Sequence, residues 1–350
     1  MNHRTGFERQ DLRWLGTLAV LLLTACGSSS EGSGSQSTDG TTFPKELLPR
    51  ELLPDLPLVA PKSDRDTPLF SGIVEVGPGE DVTFCTFTDL IVDQDTIFGE
   101  TFGAESPHGH HAILQYTTTP QEPHTGACAD MDGPILLGGS GGKNVAQEPT
   151  LPTNFGLTVP AGAQLVINHH WINTSHETIK GQAMVLARRL PDDGTTVAAG
   201  SLPMLGLGWE IPALGRHTYS TACTFAQDVP YVLALGHMHE YGTRVTIDVK
   251  RTDGAIDTLI DEPWTPDSGT TAGGRIFTLE DPYVIHKGDT VTLTCNWENS
   301  TSEAVGFPRE MCIFFGYTIG ANAYCVNGGW FTGDQLGGTG VNPQDITDHL

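Results

Sequence analysis

The order of apolar and polar positions changes character three times along the chain. A basic start (Arg4, Arg9, Arg13) leads into a nearly unbroken apolar run from Trp14 to Ala25. Gly27 to about Pro68 is Ser/Gly-rich and then Pro-rich, with Glu46-Leu-Leu-Pro49 echoed at Glu51-Leu-Leu-Pro54. Beyond it, β-branched or alternating runs dominate: Ser71–Val76, Asp81–Phe87, Gln164–Asn168, Thr243–Val249 and Asp289–Cys295, set off by Gly, Pro, Asn or Asp. A period of two buries one face of a strand and wets the other, and no stretch shows the 3.6-residue period of an amphipathic helix. The pattern predicts an all-β chain built as two antiparallel sandwiches or jelly rolls. A polar break at Pro191–Thr195 divides them. The expected segments are a signal peptide at 1–25, a flexible tether at 26–68, domains at 69–195 and 196–330, and a tail at 331–350.

The apolar run is too short to cross a bilayer. Its end, Leu23-Thr24-Ala25-Cys26, resembles the bacterial lipobox, in which cleavage leaves Cys26 as a lipid-bearing N-terminus, and the Ser/Gly stretch supplies the tether. The expected location is the bacterial cell envelope, outside the cytoplasm, with the membrane touched only through that lipid. Export favours paired cysteines. Cys85, Cys128, Cys223, Cys295, Cys312 and Cys325 are even in number and none lies in a close pair, which argues for disulfides over a thiolate zinc site. With 42 acidic and 18 basic side chains and a formal charge of −24, nucleic acid is excluded as a partner. Gly138–Lys143 lacks the residues of a phosphate loop, since Leu137 and Asn144 stand where Gly and Ser/Thr are required, and it reads as a flexible loop.

Seven of the 13 histidines fall in three groups: His108, His110 and His111; His169 and His170; His237 and His239. Such clustering beside apolar strands points to metal. His237 and His239 are two apart on a strand, so alternation turns both to one face and Met238 to the other. Met311, in Glu310-Met311-Cys312, is a candidate third ligand, and thioether with imidazole selects copper. In the first group strict alternation pairs His108 with His110; a bulge or a strand end is needed to aim His110 and His111 together. The segment Leu165–Trp171 supplies the third imidazole.

These pieces occur in the order of the ascorbate-dependent type II copper monooxygenases, the family of peptidylglycine α-hydroxylating and dopamine β-monooxygenases. The sequence resembles that family over roughly Gly72 to Cys325: a His-His pair opening a strand, a His before an aromatic, His-x-His, then Glu-Met-Cys. The resemblance implies two jelly-roll domains and two copper ions. An electron-transfer copper would sit on His110, His111 and His170, and an oxygen-activating copper on His237, His239 and Met311. It also implies Cys223–Cys325 and Cys295–Cys312 bridges; Cys85 and Cys128, which lack their family partners, pair with each other by default. The implied reaction is hydroxylation of a C–H bond with dioxygen and two electrons from ascorbate or a similar donor. Leu235, Ile313 and Phe315 replace the Arg, Asn and Tyr with which peptide-hydroxylating relatives hold a carboxylate, so the expected substrate is a small apolar or aromatic molecule. One rival is a copper-binding or copper-delivery lipoprotein without turnover. Another is a zinc hydrolase using Glu240, which alternation places opposite His239.

Overall fold

The computed structural model describes residues 43, 47–128, 135–141 (backbone), 151–264, 272–307 and 309–332. The signal segment, Cys26 and residues 333–350 lie outside them. Among the described residues the regular elements are strands. In the first half these are β1 (Asp66–Phe70), β2 (Val74–Val76), β3 (Asp81–Ile91), β4 (Thr96–Phe98), β5 (Phe102–Glu105), β6 (Gly109–Thr117), β7 (His124–Ala127), β8 (Ile135–Gly141), β9 (Phe155–Val159), β10 (Gln164–Ile172), β11 (Ile179–Gly181) and β12 (Ala183–Arg188). The second half holds β13 (Val197–Ser201), β14 (Met204–Leu205), β15 (Glu210–Ile211), β16 (Arg216–Thr224), β17 (Val229–His237), β18 (Gly242–Lys250), β19 (Ile256–Pro263), β20 (Ala272–Ile276), β21 (Tyr283–Ile285), β22 (Thr290–Glu298), β23 (Val305–Gly306), β24 (Ile313–Ile319), β25 (Ala323–Val326) and β26 (Gly329–Thr332). The chain is all-β, as its period-two pattern requires.

One plan recurs in both halves. The first half packs a β1-β12-β5 sheet against a β7-β3-β10-β6-β8 sheet, with β2 and β11 paired at one end. In the second, β13-β24-β17 repeats the former, β16-β22-β18-β19 repeats β3-β10-β6-β8, and β15 pairs β23. Alternation assigns the inner faces. Leu165, Ile167 and Trp171 of β10 enter the first core, and Val291, Leu293, Cys295 and Trp297 of β22 enter the second. Both indoles are buried, and truncating either to alanine would cost about 3–5 kcal/mol. Each long strand then ends in the same turn. Asn173 Oδ1 accepts from the N–H and hydroxyl of Ser175, and Asn299 Oδ1 does the same with Thr301. Their Nδ2 groups donate to the carbonyls of Glu177 and Glu303.

The halves are joined by backbone. Parallel pairing of β13 with β9 (Val197↔Phe155) carries one sheet from β24 across to β9 and β4. A shared apolar layer lies over the joint, drawing Ile113 and Phe155 from the first half and Leu235, Met311, Ile313 and Phe315 from the second. Three disulfides close the structure: Cys85–Cys128, Cys223–Cys325 and Cys295–Cys312. They mark a chain that folds outside the cytoplasm, in an oxidising compartment.

Two expectations are corrected. The tether expected to run to residue 68 is packed chain over its described part, where Leu52, Leu53, Leu56, Leu58 and Val59 cover Ala104, Met184 and Phe70 on the outer face of the β1-β12-β5 sheet. Those leucines have an apolar sheet face to bury, which outweighs the extended bias of the neighbouring prolines. The glycine-rich stretch read as a loop is, up to Gly141, edge strand β8, paired with β6 (His111↔Gly141, Leu114↔Gly138). A ladder uses only backbone groups, so glycine can join it at an edge. Residues 142–144 lie outside the described residues.

Candidate metal centres

The first cluster forms where β6 meets β10. His170 lies opposite His111, but the next residue, Trp171, pairs with Gly109. Two residues of β6 therefore span one of β10, and His110 is the extra residue of a β-bulge. A bulge turns its extra side chain toward the face its neighbour already uses, which resolves the alternation problem posed by adjacent histidines. The bend brings chain close to chain: a Cβ on Gly109 would lie 2.2 Å from the Cβ of Glu105, so only glycine fits there. Just upstream, His108 takes a left-handed φ of 72° and is exposed, apart from the cluster.

Three ring nitrogens converge. His110 Nδ1 lies 3.3 Å from His111 Nδ1 and 3.2 Å from His170 Nδ1, and one ligand atom from each ring falls within 4.8 Å of the others. The outward nitrogens fix the tautomers. His111 Nε2 faces Asn168 Oδ1 at 3.3 Å and His170 Nε2 faces Asp81 Oδ1 at 2.5 Å, so both Nε2 atoms carry hydrogen and donate. That leaves two Nδ1 lone pairs aimed at His110 Nδ1, which holds at most one hydrogen. A cation satisfies all three nitrogens at once. Burial holds the His111 ring well below the usual histidine range; burial, with His170 second, lowers His110 as well. Neutral rings are what a metal needs. The all-nitrogen set suits copper or zinc and not calcium or magnesium, and nitrogens 3.2–3.3 Å apart match two bonds of about 2 Å to one ion.

His169, the neighbour of His170, faces the first core instead. Its Nδ1 accepts from the Trp171 indole at 2.8 Å, and its Nε2 lies 3.1 Å from Thr86 Oγ1. Burial pushes its pKa down to about 3, so both nitrogens are spent on neutral hydrogen bonds and it is no part of the cluster.

The second cluster lies at the end of β17. His237 Nε2 and His239 Nε2 are 3.1 Å apart, and His239 Nδ1 donates to the Arg309 carbonyl at 2.9 Å, which leaves its Nε2 lone pair facing His237. Pairing of His237 with Ile313 puts the start of β24 alongside. Met311, two residues before Ile313, joins that residue and Leu235 in the shared apolar layer, while Cys312 enters the second core and its disulfide. Met311 therefore shares a sheet face with His237 and His239. Glu310 holds the two chain segments in place: its fully buried carboxylate accepts from the backbone N–H groups of His239, Tyr241 (2.9 Å) and Met311 (3.0 Å). The Trp264 indole adds a bond to the His239 carbonyl at 2.7 Å. Glu240 is exposed and beside Arg309, apart from the imidazoles. Imidazole and thioether donors, without a carboxylate, fit copper here too.

Sequence reasoning missed Asp81, Asn168 and the three-way grip of Glu310. Asp81 and Asn168 orient rings as outer partners of metal-bound histidines do.

No family model matches the chain, and no curated protein matches it. Among solved structures, one that covers 75% of this chain and 75% of its own is the structure of infectious bursal disease virus Gx strain, at 9% identity and a TM-score of 0.16. A likeness that low carries no argument about fold or function.

Proposed function

We propose that this protein is a copper-dependent monooxygenase that hydroxylates a C–H bond of a small apolar or aromatic substrate, using dioxygen and two electrons from ascorbate or a similar donor. The observation that supports it most is the convergence of three imidazole nitrogens at the β6 bulge, two of them with tautomers set by Asn168 and Asp81. His110, His111 and His170 would hold one copper and His237, His239 and Met311 the other, and copper supplies one-electron steps and dioxygen chemistry when bound. The chain's part is orientation and exclusion of water. Arg309 O fixes the His239 ring, Glu310 holds Met311 beside it, and Leu235, Ile313 and Phe315 make the adjoining face apolar. That face offers no cation to a carboxylate and favours an uncharged substrate. The reading includes the two jelly-roll domains of the resembled family and a lipid on Cys26.

The test is anaerobic copper stoichiometry, then oxygen uptake with reductant against a panel of small aromatic and aliphatic compounds. Two copper ions per chain and substrate-dependent oxygen uptake are expected. Met311→Ile should abolish uptake with the fold retained. Full activity in that variant would remove Met311 from the site. Two bound coppers with no uptake on any substrate would replace the enzyme reading by that of a copper-binding lipoprotein.

A further inference from the structure

Glu105 ends β5 and turns inward. Its partner on β12 is Ala183, a residue of the first core, and directly opposed residues of an antiparallel pair share a face. The side chain is buried, and neither carboxyl oxygen has a hydrogen-bond partner on any other described residue. Such a group is costly in either form: ionised it lacks a counter-charge, and neutral its O–H lacks an acceptor. Burial pushes its pKa up to about 8, so the metal-free chain holds it neutral at pH 7.

Beside it lies the bulge. Its Cβ and Cγ sit 2.2 and 2.7 Å from the place a Cβ on Gly109 would occupy, so one glycine stands between this residue and His110. The elements packed against β5 are β12, β6 and β8, and among their described residues none offers Glu105 a cation. β8 carries no titratable side chain. On β12, Arg188 lies over the Phe102 ring on the outer face and pairs with Asp66. On β6, Tyr116 is at the far end of the strand, and His110 and His111 belong to the triad. His169, opposite Ala112, spends both nitrogens on Trp171 and Thr86, and His108 in the preceding turn is exposed.

An ion on the triad is the counter-charge this carboxyl lacks. Burial keeps the His110 and His111 rings neutral, so a divalent ion there brings two positive charges, and Asp81, hydrogen-bonded to His170, offsets one. Glu105 is placed to offset the other. In a low-dielectric interior that attraction reaches beyond direct contact and favours the ionised acid.

We propose that Glu105 is the proton-linked counter-ion of the three-histidine centre, neutral while the triad is empty and ionised when it holds copper(II); the role rests on the copper reading above. As the ion binds, the Glu105 O–H bond breaks, its electron pair stays on the carboxylate, and the proton leaves to solvent past the Ser106–His108 turn. One electron from the ascorbate-like donor, which makes copper(I), removes one positive charge, and the carboxylate takes a proton back. Glu105 acts through charge and is not a ligand.

Calorimetric titration of copper(II) into the copper-free, full-length protein at pH 7, in buffers of different ionisation enthalpy, counts the protons released. Glu105→Gln keeps the size of the side chain and removes its proton. The parent should release about one proton per chain more than the variant, and bind copper(II) at the first centre about tenfold more tightly at pH 7. A merely structural role would leave the proton count unmoved. The infrared band of a protonated carboxyl should be present in the copper-free parent, vanish as copper enters, and be missing from the variant; if the variant does not fold, the parent's band decides alone. Equal proton release from the two proteins with copper on the triad, or a band that copper leaves unchanged, overturns the role of Glu105 and leaves the copper reading standing. A copper stoichiometry that His110→Ala with His111→Ala leaves unchanged would show that no ion occupies the triad, and overturns both.

Discussion

The same bulge is built twice, and only one copy carries a metal-ligand set. In the first half Trp171 pairs with Gly109 and His170 with His111; in the second, Trp297 pairs with Gly242 and Asn296 with Arg244. The extra residue is His110 in one and Thr243 in the other. Both bulges need glycine, because Glu105 presses on Gly109 and the Trp264 indole on Gly242. The surroundings differ in kind. Asp81 stands opposite Ile172 and accepts a hydrogen bond from the His170 ring, whereas Arg216, opposite Glu298, makes a surface ion pair with it. Arg244 is paired with Asp261 in solvent, and Asn296 accepts from Thr218. A bulge supplies direction; the site comes from three imidazoles together with acceptors that fix their tautomers. The second half places its own histidines on the other sheet, at the end of β17, where a buried carboxylate grips backbone.

The sharpest way to break this comparison is to exchange the bulges. On the proposed copper reading, His110→Thr with His111→Arg and His170→Asn should abolish metal binding at the first centre and spare the second, so that metal analysis gives one ion per chain in place of two. The reciprocal change, Thr243→His with Arg244→His and Asn296→His, should create a nitrogen site that takes up an added ion; failure to bind one would show that acceptors such as Asp81 are indispensable. Glu310→Ala strands three backbone N–H groups and should cost on the order of 3 kcal/mol in denaturant unfolding, while Glu310→Gln, which keeps an acceptor, costs less. On the same reading, Asp81→Asn should lower copper affinity at the first centre by about tenfold to a hundredfold and leave the second unchanged; competition with a chelator reads both.

The smallest effect is the pH dependence of the copper-free fold. His169 is depressed to about 3 by burial, so unfolding takes up a proton as pH falls from about 6.5 toward 3, and stability present above that range is lost. Glu105 is pushed up to about 8 by burial, so its contribution is full below about 4.5 and is lost as pH rises to 8. Each term changes stability by at most about 1.4 kcal/mol per pH unit. Glu105→Gln should remove the loss of stability between about pH 4.5 and 8 and leave the profile below about 4.5 as it was; an unchanged profile would show that the carboxyl is already ionised in the fold.

Much of this was legible in the sequence, and for physical reasons. A period of two declares strands whatever their partners, and His237-x-His239 needs only alternation to share a face. Adjacent His110 and His111 posed a problem that alternation states but cannot solve, because a bulge is a property of the pair of strands. The same holds for His169 and His170: neighbours on a strand must part, and register decides which one faces the cluster. Asp81 and Asn168 carry no local signal, since Asp81 meets His170 89 positions away and Asn168 meets His111 57 positions away. The leucines upstream of β1 were hidden by the prolines around them.

The repeated turn after β10 and β22 bears on how the protein can be made. Asn173-Thr-Ser175 and Asn299-Ser-Thr301 are both acceptor sequences for N-linked glycans, yet each asparagine is 1% exposed and spends its amide on neighbouring carbonyls. A eukaryotic secretory host would read them on the nascent chain, before the turn exists. A sugar on either nitrogen would then occupy the place of the bonds that close both sandwiches, so a chain passed through that route would be denied its fold at two equivalent points.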